Sequence, residues 1–329
     1  MNAQMIESAV GARCGQDPEQ RWLAQSMSSL LSEGGLSLPL PGRGETSRRH
    51  RMLAEIARRD LTLARVAEAH TDAIAILAEA GCEPRDRALY GVWASDGPAS
   101  QLHLVPHGSG YVLHGVKQYC SGSTFLDAAL VTARLGDTLR LVDVPLADAT
   151  LTIDTSIWKS AAFSATATGS VAFHDVPVWP EQLIGGDRFY LDRPGFWHGA
   201  VGPAACWAGG AFGLIDAAMA GRRANPHVLA HLGALEALRW GLEALLDQAG
   251  REIDADPDDT TNTRQRRALS VRHLVERFCT ETLDHFGRAT GPAALAFDAA
   301  VAQRYAELTL YIRQCHGERD LQALAEASS

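Results

Sequence analysis

Apolar residues recur at helical spacing in two parts of the chain and break into short runs between them. From Arg51 to Ala80 the positions Leu53, Ile56, Leu61, Ala64, Ala67, Ile74 and Leu77 outline an apolar helical face, with Gly81 as a stop and Pro84 just beyond. An earlier helix is predicted over Glu19 to Leu31, followed by a Gly- and Pro-rich loop from Gly34 to Gly44. From about Ala88 the pattern changes to Val, Leu, Tyr and Thr in short runs parted by Gly, Asp, Ser and Pro. Leu89 to Ala94, Gln101 to Val105, Tyr111 to Tyr119, Ala128 to Ala133, Thr138 to Val144 and Ser170 to Phe173 are predicted strands of a small sheet or barrel. After Pro194 helical spacing returns, predicting four long helices: Ala204 to Arg223, Pro226 to Ala255, Thr263 to Thr290 and Pro292 to Gln314. Pro226 and Pro292 sit where a first helical turn tolerates proline. The expected order is a helical domain over 1–87, a β domain over 88–190 and a four-helix bundle over 191–329.

Composition narrows the function classes. At 329 residues, 46% hydrophobic and 21% charged, the chain can bury one large core or several modest ones. A formal net charge of -9 argues against a general nucleic-acid binder, which needs clustered Lys and Arg for phosphates. No apolar run approaches the roughly 18 to 20 residues of a membrane span, and the polar N-terminal residues lack a signal-peptide layout, so a cytoplasmic location is expected. The six cysteines, Cys14, Cys82, Cys120, Cys206, Cys279 and Cys315, are scattered with no C-x-x-C pair. Reduced thiols and no metal site are the expectation.

Several segments, taken in order, resemble acyl-CoA dehydrogenases. Leu53 to Arg65, followed by Glu68-Ala-His, resembles the helix before that family's β domain. His114-Gly-Val-Lys-Gln-Tyr-Cys-Ser-Gly122 resembles its flavin-packing strand, Ser170 to Val178 the strand pair that closes the domain, and Arg304 to Leu324 its closing segment. The resemblance implies an α+β, acyl-CoA dehydrogenase-like fold, a bound FAD (with FMN as the alternative), and a homodimer or homotetramer, because the family's flavin sites lie at subunit interfaces. It implies flavin-dependent oxidation of an acyl-CoA or acyl-carrier thioester, with an electron-transfer protein or flavin reductase as a possible partner.

The resemblance also nominates residues. Tyr119 takes the place of the aromatic residue against the isoalloxazine ring; Ser121, two residues on and thus on the same face of a strand, takes that of the hydroxyl on a ring nitrogen. Ser95, in Val92 to Ser100, occupies the hydroxyl position of a loop touching flavin and substrate, and Trp93 is expected in the core. The family's arginine and phenylalanine motif for the adenine half of FAD is missing, but Arg222, Arg223 and Arg288 could grip a diphosphate. In the slot of the catalytic glutamate before Gly317 stands His316.

His316 leaves three readings open. A neutral imidazole with an unperturbed pKa of about 6.5 can accept the α-proton in a dehydrogenase. A second branch of the fold, flavin monooxygenases that use reduced flavin and oxygen, lacks the glutamate and can employ histidine and serine near the ring. A flavin-free partner subunit is the reading without catalysis. Glu318 is disfavoured as a base because residues two apart on a helix do not share a face.

Overall fold

The computed structural model describes residues 17–147, 149–221 and 225–326. Cys14, Arg222 and Arg223 lie outside the described residues. The chain divides into two compact units, one built from Met1–Ser37 with Ala69–Arg193, the other from Leu38–Glu68 with Pro194–Ser329.

The first unit opens on α1 (Pro18–Ser32), with the Asp17 carboxylate accepting from Glu19 N at 2.9 Å. Two further helices follow in the chain, α2 (Thr46–Arg59) and α3 (Leu61–Glu79), where the apolar spacing predicted one. Asp60 makes the break. Its backbone is extended, its N–H closes α2 on Ile56 O, and its carboxylate caps α3 by accepting from Leu63 N at 2.7 Å. The part of α3 that belongs to the first unit places Ala73, Ile76 and Leu77 against Tyr90, Leu130, Leu141 and Ile184 of the sheet. Fully burying a Leu or Ile side chain in such a cluster contributes roughly 1.5 to 3 kcal/mol.

The sheet has eight strands: β1 (Tyr90–Trp93), β2 (Gln101–His107), β3 (Gly110–Cys120), β4 (Ala128–Leu135), β5 (Thr138–Pro145), β6 (Leu151–Asp154), β7 (Gly169–Val178) and β8 (Leu183–Ile184). They lie in the order β6-β7-β3-β2-β4-β5-β8, with β1 parallel to β4. Six of the eight coincide with sequence-predicted strands. The other two, β6 and β8, are short pieces at the sheet's ends, too brief to carry an alternation signal. Pairing of β3 with β7 shifts register between Lys117 and Cys120, and Tyr119 there has φ +60°. Such a bulge interrupts the two-residue side-chain alternation.

In the second unit, α4 (Val201–Ala220) is buried on nearly every side, as an apolar, glycine-rich helix must be. Gly209 permits its close approach to α2: an ideal Cβ there would stand 2.1 Å from Ala54 O. Next come α5 (Pro226–Ala255), capped by the Asn225 side chain accepting from His227 N, and α6 (Arg264–Thr290). The helix expected over Pro292 to Gln314 is interrupted at Asp298, whose carboxylate accepts from Ala300 N and Val301 N, both at 3.1 Å. Its main part is α7 (Ala299–Tyr311), and α8 (Glu318–Glu326) follows a turn.

No described helix is long and apolar enough to cross a membrane. Cys82, Cys120, Cys206, Cys279 and Cys315 are free thiols, and no group of three or more metal-ligating side chains occurs among the described residues.

Candidate functional site

The flavin candidates of the first unit gather where β3 ends. Tyr119 is 48% exposed in the bulge, and Ser121 lies in the turn just after the strand. The premise that the two share a strand face therefore fails: the left-handed backbone at Tyr119 and the end of β3 at Cys120 set their directions separately. Ser121 is held firmly all the same. Its carbonyl accepts from Trp93 Nε1 at 3.0 Å, its N–H donates to Tyr119 O, and the following Gly122 N donates to Thr166 O at 2.7 Å. Its Oγ lies 2.8 Å from Thr168 Oγ1, which lies 2.8 Å from Thr166 Oγ1, and Thr166 Oγ1 donates to Phe163 O at 2.7 Å. Trp93 is in the core at 2% exposure, as its sequence context suggested.

Ser95 stands exposed in the loop between β1 and β2. That loop is fastened to β3 by a buried ammonium. Lys117, 1% exposed, donates to Asp96 Oδ1 at 2.6 Å and to Thr132 Oγ1 at 2.8 Å. Ser100 Oγ accepts from Gly97 N and from Gln118 N, while Gln118 Oε1 accepts from Ala99 N. Sequence reading missed Lys117 because its chemistry depends on Asp96, 21 residues away. A lysine inside a strand of mostly apolar neighbours was the available signal.

In the second unit His316 occupies the turn between α7 and α8, followed by Gly317 at φ +51°. Its imidazole is exposed. Asp320 accepts from His316 N at 3.2 Å, and Asp320 Oδ1 lies 3.5 Å from His316 Nδ1. Because His316 precedes α8, the helical-face argument against Glu318 does not apply as stated. The turn is tied down by Arg272, which donates to Ala200 O and Gln314 O, both at 2.9 Å, with its guanidinium 4.9 Å from the Trp207 ring centroid. Trp207 meets Tyr311 edge to face, and Arg65 lies over the Tyr311 ring at 5.5 Å. Burial pushes the Tyr311 hydroxyl and the Cys206 thiol well above their ordinary pKa values. Glu68 faces the start of α4, where an ideal Cβ on Gly202 would come within 2.6 Å of Glu68 Oε1.

Sequence reading passed over the packing of Arg65 and Glu68, though a signal existed: Leu61, Ala64, Arg65 and Glu68 follow the spacing of one helical stripe, so two charges fall beside apolar positions. Arg288 is exposed and ion-paired one turn away with Asp284, Nε to Oδ2 2.8 Å. Within the first unit, Tyr119 and Ser121 stand together and Ser95 sits on the adjoining β1–β2 loop; His316 and Arg288 belong to the second unit. At the end of β3 the chain thus offers a fixed hydroxyl on Ser121 and an exposed ring on Tyr119.

No protein-family model matches the chain, and no curated protein matches it by sequence. Solved structures do match. Methanesulfinate monooxygenase MsuC from Pseudomonas fluorescens aligns with TM-score 0.75 and 19% identity, covering 95% of this chain and 96% of that one. FMN-bound TdsC from Paenibacillus sp. A11-2, a dibenzothiophene monooxygenase, aligns with TM-score 0.75 and 18% identity over 93% and 95%. The 3-HSA hydroxylase of Rhodococcus sp. RHA1 gives 0.77 and 14% over 99% and 96%. The chain thus has the acyl-CoA dehydrogenase-like fold of these enzymes.

Proposed function

We propose that the protein is a flavin-dependent monooxygenase that uses reduced flavin and oxygen. The likeness of nearly the whole chain to monooxygenases, one of them crystallised with FMN, carries this reading. Its site residues agree with it, since a histidine, His316, stands where the dehydrogenase resemblance calls for a carboxylate. FMN is the favoured flavin and FAD the alternative. Bound flavin would supply the electrons and the oxygen activation.

The chain's own residues would bind and orient. Tyr119 would cover the ring and Ser121 would bond its edge. Ser95 would face ring or substrate from the loop that Lys117 fastens. His316, with Asp320 beside Nδ1, would hydrogen-bond the substrate or exchange a proton with it through Nε2. Arg288, together with Arg222 outside the described residues, would meet phosphate. Domains over 1–87, 88–190 and 191–329, a homodimer or homotetramer, a cytoplasmic location and a flavin reductase as partner belong to the same proposal.

Thioester dehydrogenation is the second reading, and it rests on the ordered resemblance of the chain's segments to acyl-CoA dehydrogenases. Purified protein loaded with FMN or FAD separates the two. Bleaching by acyl-CoA or acyl-carrier thioesters without oxygen would support dehydrogenation. Oxygen-dependent product formed only with a flavin reductase would support the monooxygenase, and failure to take up either flavin would sink both.

A further inference from the structure

The outward face of the sheet sets two imidazoles side by side. β2 and β3 pair with His103 directly opposite His114, and both side chains are exposed while Leu102, Leu104 and Leu113 turn inward. Directly opposite residues have Cβ atoms about 4.5 to 5.5 Å apart. At that spacing two imidazoles can reach one ion at a Zn–N distance of about 2.0 to 2.1 Å.

The neighbouring strand orients one of them. Leu113 pairs with Val176 and Gly115 with Phe173, so His114 alone faces both His174 and Asp175, a bulge in β7. Asp175 takes a left-handed φ of +52° there, and its Oδ1 lies 2.9 Å from His114 Nδ1. An ionised carboxylate only accepts, so His114 Nδ1 carries the proton and Nε2 keeps its lone pair. A carboxylate behind a histidine fixes the tautomer of metal ligands in this way. Folding gives little reason for the contact, because the two side chains are 63% and 72% exposed and water screens them, while a left-handed aspartate is strained. His174 is engaged elsewhere, with Nε2 2.9 Å from Thr152 Oγ1 on β6.

We propose that His103 and His114 form a two-imidazole site for a divalent late transition ion, Zn²⁺ foremost, with Asp175 as the positioning residue behind His114 and water completing the coordination. Imidazole ligands suit zinc, copper and nickel, whereas magnesium and calcium take oxygen. Two protein ligands make the site exchangeable, unlike a structural zinc site closed by four. It lies wholly in the first unit and does not depend on the flavin reading.

Titration of the full chain with Zn²⁺ against a chromophoric chelator, joined to ¹⁵N spectra of the histidine rings, tests the site. The first equivalent of Zn²⁺ should perturb His103 and the Nε2 of His114, and Mg²⁺ should not compete. Asp175→Asn suits the left-handed backbone and keeps an oxygen for Nδ1 but loses the charge. It should weaken Zn²⁺ about tenfold and let the Nε2–H tautomer of His114 appear in the metal-free spectrum. His103→Gln and His114→Gln should each weaken binding more than that, and His174→Gln should leave it unchanged. Melting curves check that the variants fold, and the wild-type nitrogen shifts decide without any variant. No Zn²⁺ uptake, shifts on other histidines first, or full affinity in either His103→Gln or His114→Gln would overturn the site. Wild-type affinity in Asp175→Asn would overturn the positioning role.

Discussion

Lys117 shows how one residue can matter asymmetrically. Its ammonium is buried, but its partner Asp96 is 56% exposed on a loop. Lys117→Met removes a buried charge and leaves a carboxylate that water can solvate, so global stability should change by less than about 1 kcal/mol. Asp96→Ala strands the ammonium on Thr132 alone and should cost about 2 to 3 kcal/mol, toward the low side for buried pairs because Asp96 is half in water. Urea melts of both variants check the asymmetry. Both should also speed hydrogen exchange of residues 94–100, the segment carrying Ser95. At this scale the sequence was only partly legible. The tripeptide Tyr119-Cys120-Ser121 nominated a ring contact, but the hydroxyl contacts of Ser121 run to Thr168 and on to Thr166, more than forty residues away in the chain. Local pattern carries no trace of that.

Between residues and the whole fold, boundaries were read well where a side chain caps a backbone and poorly where one cap hides inside a periodic run. Pro226 gave the start of α5 directly, and the Asn225 side chain caps it. Asp60 and Asp298 broke helices that apolar spacing alone had joined, because periodicity does not register a single carboxylate accepting N–H groups from the turn ahead. Asp298→Ala is expected to lower stability by about 1 kcal/mol, and Asp298→Asn or Asp298→Ser by a few tenths, measured by thermal melts. The turn between α7 and α8 follows the same logic with function at stake. Asp320 holds His316 through the backbone N–H and lies near its imidazole. If His316 exchanges a proton in turnover, His316→Ala should lower the rate by about two to four powers of ten. Asp320→Asn keeps an oxygen for His316 N, so it should leave the turn in place and lower the rate far less than His316→Ala. A loss as large as that of His316→Ala would place the Asp320 charge in the chemistry.

Each compact unit carries a histidine that burial holds neutral, and this ties stability to pH. His50, 1% exposed, donates from Nδ1 to Leu246 O in the second unit, and burial pulls its pKa down to about 4 against that hydrogen bond. His70, 2% exposed, accepts from Tyr90 N through Nδ1 in the first unit, and burial likewise holds it at about 4. Both folded values lie below the unfolded 6.5, so the unfolded chain binds more protons between pH 4 and 6.5, and stability rises with pH across that window. The contribution is complete above pH 6.5 and is lost as pH falls through 6.5 toward 4, up to roughly 3 kcal/mol for each residue. Carboxylates held low act further down. Asp216, kept below its ordinary range by Arg58 and Arg239 in spite of burial, and Asp256, lowered chiefly by Thr261, lose their share only below about pH 4. Denaturant melts from pH 4.5 to 7.5 should therefore report the two histidines, offset in part by Asp143, whose carboxyl burial pushes up. His70→Gln keeps an acceptor for Tyr90 N without a titrating group, so its stability at pH 7.5 should stay within about 1 kcal/mol of wild type while the slope becomes shallower. A slope unchanged in His70→Gln would mean that His70 titrates alike in folded and unfolded chains, against its burial beneath β1.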